Sequence, residues 1–468
     1  MKPIQIKDIV KAVDGTLAWG DENCEVTNVV IDSREAGAGS LFVPIIGERV
    51  DAHRFIQDVL LQGAACVFSS RHDVTGDKGA CIFVEDTLRA MQRLAAWYRS
   101  LFTFPVIGIT GSVGKTTTKE MIASVMETQY KTLKTFKNLN SQIGVALMMF
   151  QLEADTEMGV FEMGISMPGE MDNLVEMVKP DCAVMTNIGV SHIGNLGTRQ
   201  NICAEKGKII TNFGANGTLY VCGNGDLQQL AKDNIPYSQC RGNCETVYYG
   251  TEEGCLYYGD QIEVTEKGQR FVFHSPQGEE IVTLSVMGIH NVNNAIVALA
   301  LALQYGVDIE KAKEALKQYQ PLDMRGVVHE VRGAHIIDDT YNASPDSIKS
   351  NLQALFHYSG DGGRIAVLAD VLELGERSSE LHESIGHYIV EQYEANHKLS
   401  FLVTMGEESQ IIARYVKEHS DIPVCVCATH EEAAKEVLAM MNTGDWVLVK
   451  GSRGMQMDKV VEQLLIKE

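Results

Sequence analysis

The stretch "GITGSVGKTTTKE", Gly108 to Glu120, follows the apolar run "FPVI" and opens the helical stretch "TTTKEMIASVM". A strand, a glycine-rich turn, a lysine, hydroxyls and a helix make a cradle for nucleotide phosphates. Small residues let backbone N–H groups approach phosphate oxygens at a helix N-terminus. Lys115 is then placed to reach the β- and γ-phosphates, and the Thr116 hydroxyl to ligate Mg²⁺. The loop departs from G-x-x-x-x-G-K-[ST], because Ile109 stands where the first glycine belongs; its glycines are Gly108, Gly111 and Gly114. The bland alternative is a strand-to-helix turn with an exposed lysine. The flanking strand and helix favour a nucleotide site over Gly111, Ser112, Val113, Gly114, Lys115, Thr116 and Thr117. Kinases, motors, switches and ligases all use such a cradle, so its purpose has to come from the rest of the chain.

Outward from the loop, 468 residues suggest about three domains. In residues 1–102 short strand-like runs ("CEVTNVVI", "GSLFVPI", "AACVFSS", "ACIFVED") alternate with helical ones. Phe55, Ile56, Val59 and Leu60 fall on one helical face. Residues 103–318 carry the loop and the strands "MGVFEMG", "DCAVMTNIG" and "GTLYVCG", a pattern of mostly parallel sheet covered on both faces. The alternating runs "ETVYYG", "CLYYGDQIEV", "QRFVFHS" and "EIVTLSV" predict antiparallel strands added to that sheet. Residues 319–468 repeat strand then helix, a Rossmann-like layering without a G-x-G-x-x-G turn. The expected class is α/β in three domains: a small N-terminal α/β module, a central phosphate-loop sheet and a C-terminal Rossmann-like domain.

A formal charge of −22 argues against nucleic acid as a partner, because backbone phosphates need a basic face. No apolar run spans a bilayer, and "MKPIQIKDIVKAVDG" lacks the apolar core of a signal peptide. A cytoplasmic protein with no membrane association is expected, and a monomer. The eleven cysteines are scattered. The pairs Cys240/Cys244 and Cys425/Cys427 lack zinc-like spacing, and "CVC" reads as a buried strand, so ordinary reduced thiols are expected.

Glu162 ends one strand of the middle segment and His192 follows another. If both strands flank the loop strand, the two side chains meet near Thr116, since ligands gather at strand C-termini in open parallel sheets. A carboxylate suits Mg²⁺, whereas a lone loop histidine is commonly structural. Lys206, in "CAEKGKII", reads by itself as a solvated helix lysine. "DDTYNASPDS", Asp338 to Ser347, reads equally as a turn with Ser344 capping a helix, or as carboxylates beside Tyr341 and Asn342 that touch a sugar or an amine. "GSRG" at 451–454 has the same two readings.

Ten stretches in order carry a resemblance: "DSREAGAGSLFVPIIGERVDAH", "GITGSVGKTTTKE", "NLNSQIGVAL", "EMGISMPGE", "TNIGVSHIGNLGT", "EKGKI", "GIHNVNNAIVALA", "DDTYNASPDS", "LELGERS" and "KGSRGMQM". Together they resemble the Mur ligase family, ATP-dependent amide-bond-forming enzymes of peptidoglycan precursor synthesis. "GKTTTKE", "YNASPDS" and "LELGE" look most like the member that joins D-alanyl-D-alanine to UDP-N-acetylmuramoyl-tripeptide.

The resemblance implies that Gly111 to Thr117 hold the triphosphate of ATP, with Lys115, His192 and Lys206 catalytic. It implies one Mg²⁺ on Thr116 and Glu162, and a second on His192 and a carbamylated Lys206. It places Asn291, Asn294, Arg325 and Asp339 around adenine and ribose. Ser33 and Arg34 would meet the uridine-diphosphate end, Asn138 and Asn140 the muramoyl-peptide or phosphate path, and Tyr341 and Asn342 the substrate. Departures from the family pattern are Ala146 in place of a proline, Met167 in place of a histidine, Lys208 in place of a glutamate, and Met324 in place of a glycine.

In such a ligase the phosphates activate an acid. A carboxylate becomes an acyl phosphate, and an amine then displaces phosphate. The rival readings are a Mur ligase adding a single amino acid, a folylpolyglutamate synthase, and a non-catalytic switch. The synthase would leave the first hundred residues without a role. The switch lacks an N-K-x-D motif.

Overall fold

The computed structural model describes residues 1–47, 49–265, 268–358, 360–396 and 398–466. Three mixed α/β segments follow one another, each around its own main sheet. The first contains a five-stranded sheet in the order Thr16–Trp19, Ala80–Phe83, Cys66–Ser69, Ser40–Phe42 and Asn28–Val30. The helix Ile56–Leu61 buries Ile56, Val59 and Leu60 against it, while Phe55 stays half-buried at its start. The helix Thr87–Arg99 fastens this segment to the next. Tyr98 donates its hydroxyl to the Leu152 carbonyl at 3.0 Å, and the buried Arg99 guanidinium donates to the carbonyls of Val178, Phe102 and Phe104.

The middle sheet has nine strands, in the order Gly278–Leu284, Gly268–Ser275, Tyr257–Thr265, Cys244–Gly250, Gly217–Cys222, Cys182–Met185, Val106–Thr110, Met158–Glu162 and Thr132–Lys134. The strand "VIGIT", third from one edge, is wholly buried, as expected where helices cover both faces of a parallel sheet. One covering helix, Ile289–Gln304, is apolar on nearly every side, and the phosphate-loop helix Lys115–Met126 packs on it. A helix apolar all round belongs in a core. The expected antiparallel addition needs one correction: Cys244–Gly250 pairs parallel with Gly217–Cys222 and with the start of Tyr257–Thr265. Only the last three strands form antiparallel pairs. Alternation shows that a strand has two unlike faces and says nothing of its direction.

The last sheet has the order Val327–Val331, Ala334–Asp338, Trp446–Lys450, Arg364–Ala369, Leu399–Met405 and Val424–Cys427. Only its first pair is antiparallel. The strand "VCVC" is its edge strand, with Val426 exposed, so the expectation of a buried strand fails there. Cys425 and Cys427 lie 3.8 Å apart as free thiols. Ser344 caps the helix Pro345–His357 through a reciprocal bond with Ser347, with proline in the first turn. Among the described residues no helix is long and apolar enough to cross a membrane.

Candidate active site

The strand order assembles the site. Met158–Glu162 and Cys182–Met185 pair in parallel with either side of Val106–Thr110, with Glu162 opposite Ile109 and Met185 opposite Thr110. Glu162, the loop after Met185 and the phosphate loop therefore leave the sheet at one end, as the sequence suggested. They face a cavity of about 1190 Å³ whose opposite wall comes from the last segment, including Asp339, Tyr341, Asn342 and Lys450.

Gly111 begins the loop at φ 147°, and a Cβ there would lie 2.0 Å from Thr186 Oγ1. That hydroxyl donates to the Val113 carbonyl at 2.6 Å, so only glycine fits the turn. The helix Lys115–Met126 then presents its unpaired first-turn N–H groups to the cavity. Asn187, which sequence reasoning missed, organises the loop: its Oδ1 accepts from the Ser112 and Val113 amides at 3.1 and 2.7 Å. Its position inside "TNIG" was the available signal. Lys115 Nζ donates to the Gly111 carbonyl at 2.9 Å. Burial pushes its pKa down and the neighbouring Arg325 adds to this, against the pull of Glu162.

Glu162 is held on three sides. Thr116 Oγ1 donates to its Oε2 at 2.9 Å, Asn140 Nδ2 to its Oε1 at 2.6 Å, and its own amide to Thr135 Oγ1 at 2.8 Å. Lys119, fully buried, donates to the Thr135 carbonyl at 2.6 Å and so fixes that support. Adjoining hydroxyl and carboxylate oxygens suit Mg²⁺, which takes one or two protein oxygens and completes its shell with phosphate and water. Among the described residues no group of three or more His, Cys, Asp or Glu forms a metal cage.

Lys206 is not the solvated lysine its local sequence suggests; it is 1 % exposed, on the inner face of the helix Arg199–Gly207. Burial, then the Lys115 charge, holds its amine well below the usual lysine range, although Glu162, Glu205 and Glu170 oppose this. The unexpected Lys208 side chain pairs with Glu205 at 2.8 Å and Asp172 at 2.9 Å. His192 lines the cavity at φ 59°, with Nδ1 2.8 Å from Glu373 Oε2 of the last segment. Burial and the Lys206 charge lower its pKa, and Glu373 pulls the other way.

Asn291 and Asn294 form a relay. Thr118 Oγ1 donates to Asn294 Oδ1 at 2.8 Å, Asn294 Nδ2 to Asn291 Oδ1 at 3.3 Å, and Asn291 Nδ2 to the Met287 carbonyl at 2.7 Å. Across the cavity the Arg325 guanidinium sits 3.8 Å over the Tyr341 ring. Asp339 accepts from Lys450 Nζ and Asn351 Nδ2. Lys450 Nζ also donates to the Asn342 carbonyl at 2.9 Å. Lys450 and Asn351 were not singled out from sequence. Asn138 lines the cavity with Asn140, whereas Ser33 and Arg34 lie away from it in the first segment. Arg34 is largely exposed, and its guanidinium holds the Asp32 carboxyl down at about 2.

Three family models match the chain: "Mur ligase family, catalytic domain" over residues 25–99, "Mur ligase middle domain" over 109–302, and "Mur ligase, glutamate ligase domain" over 325–453. A UDP-N-acetylmuramoyl-tripeptide–D-alanyl-D-alanine ligase of Bacillus subtilis is 35 % identical over 467 residues, covering 98 % of each chain. The chain belongs to the Mur ligase family. Among solved structures, MurF from Acinetobacter baumannii superposes with a TM-score of 0.89 at 29 % identity, with both chains wholly covered. MurF from Thermotoga maritima in complex with ADP gives 0.82 at 28 % identity, over 94 % of this Mur ligase and 97 % of that chain. The match over 25–99 gives a place to the segment that a folylpolyglutamate synthase would leave unused.

Proposed function

We propose that this Mur ligase joins D-alanyl-D-alanine to UDP-N-acetylmuramoyl-tripeptide at the expense of ATP, in the cytoplasmic supply of peptidoglycan precursors. One observation carries the reading. Lys115, the Thr116–Glu162 pair, His192 and Lys206 converge at one end of the middle sheet, facing a wall built by the last segment. The named relatives supply the substrates. Their sequence identity to this chain, up to 35 %, and their close superposition favour them over a ligase of single amino acids.

The chemistry begins with the tripeptide's terminal carboxylate, which does not react with an amine because its oxygen is a poor leaving group. Its oxygen attacks the γ-phosphorus of ATP and the bond to ADP breaks, leaving an acyl phosphate. The free amine of D-alanyl-D-alanine attacks the acyl carbon. It loses a proton, and inorganic phosphate departs from the tetrahedral species. Every partner in the first step is anionic, so the site's task is to oppose charge. Lys115 and the first-turn amides of Lys115–Met126 face the transferring phosphoryl group. Mg²⁺ held by Thr116 and Glu162 supplies further positive charge there when bound.

The Lys206 amine, whose pKa burial pushes well down, attacks CO₂ in its neutral form and loses a proton to become a carbamate. That carbamate, with His192, would hold a second Mg²⁺, which would supply further positive charge to the site. Asn291, Asn294, Arg325 and Asp339 take the nucleoside, Tyr341 and Asn342 the incoming substrate, Asn138 and Asn140 the muramoyl-peptide path, and Ser33 and Arg34 the uridine-diphosphate end. In this reading residues 1–102 hold the long substrate, 103–318 activate it, and 319–468 deliver the amine as a monomer closes. Closure excludes the water that would hydrolyse an acyl phosphate.

The test is phosphate release with ATP, Mg²⁺ and the UDP-tripeptide, with D-alanyl-D-alanine, a single amino acid or nothing added. Release that requires the dipeptide, with a product heavier by that dipeptide less one water, supports the reading. Release that requires a single amino acid contradicts it.

A further inference from the structure

The stretch "GSRG", 451–454, leaves the carboxyl end of the strand Trp446–Lys450. That strand lies between Ala334–Asp338 and Arg364–Ala369 and pairs in parallel with both. Three loops therefore leave the last sheet together, at the end where ligands gather in parallel sheets. They are bonded to one another. The Ser452 amide donates to the Asp370 carbonyl at 3.2 Å, the Leu372 amide to Ser452 Oγ at 2.9 Å, and the Arg453 amide to Asn342 Oδ1 at 3.3 Å. Main chain and Ser452 thus fix the turn, and the Arg453 side chain is left over for another task.

Its guanidinium lies 5.9 Å over the Tyr341 ring. Tyr341 and Asn342 line the cavity, so the guanidinium stands at the rim. Nη1 meets Met324 Sδ at 3.3 Å and comes no nearer than 3.5 Å to Asp458 Oδ2, beyond ordinary hydrogen-bond distance. Among the described residues Nε and Nη2 meet no acceptor, and the side chain is 54 % exposed. Neighbouring cations of the last segment are occupied. Lys450 is held by Asp339 and the Asn342 carbonyl, Lys349 by Ser384 Oγ at 3.1 Å, and Arg377 by both carboxylate oxygens of Glu380. A guanidinium with free donors presents a planar fork that matches a carboxylate oxygen for oxygen.

We propose that Arg453 determines specificity for the incoming amine: its guanidinium at the cavity rim takes the carboxylate of D-alanyl-D-alanine while the free amine reaches inward. The proposal rests on the ligase reading for the identity of the dipeptide. An extended dipeptide holds its two ends up to roughly 7 Å apart. Its amine must approach an acyl carbon beside an anionic phosphoryl group, where a second anion is repelled, so its carboxylate needs a cation farther out. A single amino acid is shorter by one residue and in this arrangement gives up one end or the other.

The test is steady-state turnover of the full-length protein with saturating ATP, Mg²⁺ and UDP-tripeptide, using D-alanyl-D-alanine or its C-terminal carboxamide as the amine. Wild type should prefer the acid by about ten- to a hundredfold in kcat/KM, the range for hydrogen bonds to a charged group. Arg453→Met should raise KM for the acid by that factor, leave KM for the carboxamide unmoved, and so erase the preference. Arg453→Lys, which keeps the charge without the fork, should fall between the two. The wild-type and Arg453→Lys ratios decide the matter even if Arg453→Met fails to fold. Wild type that uses both amines equally well would overturn the proposal. So would an Arg453→Met variant that keeps the wild-type preference, or one that raises both KM values alike, the mark of a damaged loop. In each of those cases wild-type phosphate release that requires the dipeptide leaves the ligase reading standing, and only its absence counts against that reading.

Discussion

Thr116 Oγ1 donates to Glu162 Oε2 at 2.9 Å, which ties the first turn of the phosphate-loop helix to the end of the neighbouring strand. The pair needs two parallel strands in one register and a helix starting directly beyond them. It is the structural basis for placing Mg²⁺ between loop and sheet. Glu162→Gln keeps an oxygen that accepts from Thr116 but removes the charge. The variant should fold with an unchanged circular dichroism spectrum and need at least about tenfold more Mg²⁺ for half-maximal turnover. An unchanged Mg²⁺ requirement would remove Glu162 from the metal site.

Lys115→Ala should lower kcat by about 10²–10³, equivalent to about 2.7–4 kcal/mol of stabilisation of the transferring phosphoryl group. Its Nζ is built into the loop through the Gly111 carbonyl, so Lys115→Arg should not restore activity. Single-turnover kinetics would locate the loss in the chemical step. Near wild-type turnover would refute the cradle.

Gly111→Ala would drive a methyl group into Thr186 Oγ1, 2.0 Å from the ideal Cβ position. Either the Thr186–Val113 bond or the loop backbone must give way, and both shape the phosphate cradle. ATP affinity measured by calorimetry should weaken at least about tenfold, a cost of about 1.4 kcal/mol.

The Lys206 prediction concerns pH. Burial holds the amine well below the usual lysine range, so the folded chain declines a proton that the unfolded chain binds below about 10.4. Stability therefore rises with pH between the depressed pKa and that value, by up to about 1.4 kcal/mol per pH unit. Lys206→Met removes this slope. In CO₂-free buffer its urea midpoint should exceed wild type, by a margin that shrinks as the pH rises through that window. With ¹³C-bicarbonate, wild type should give a carbamate resonance that the variant lacks.

The linker between Ile309–Gln318 and Val327–Val331 contains Met324 at φ 61° and Gly326 at φ 78°. It is expected to act as the hinge, around 320–325. Small-angle scattering should show a smaller radius of gyration with all substrates or their analogues than without. Identical curves would count against closure at this linker.

Much of the site was legible because it is local in sequence. Glycines, lysine and threonines within Gly111–Thr117 mark a candidate phosphate turn in one short stretch, and Glu162 could be placed from a strand end. Lys206 looked solvated because burial is a property of packing: the glutamates and Lys115 around it come from other elements. Glu373 was unreadable for the same reason, since its partner His192 lies in a different segment. The direction of Cys244–Gly250 escaped because alternation is blind to strand polarity. Met324 in a glycine's usual place became intelligible once its left-handed backbone was visible, a conformation glycine adopts without strain.

The most direct test of the central claim, that the phosphates activate a carboxylate, is to follow oxygen. UDP-tripeptide labelled with ¹⁸O in its terminal carboxylate is turned over with ATP and D-alanyl-D-alanine, and the released phosphate is weighed by mass spectrometry. Acyl-phosphate chemistry places one carboxylate oxygen in each phosphate released. Amide product accompanied by unlabelled phosphate would contradict the account.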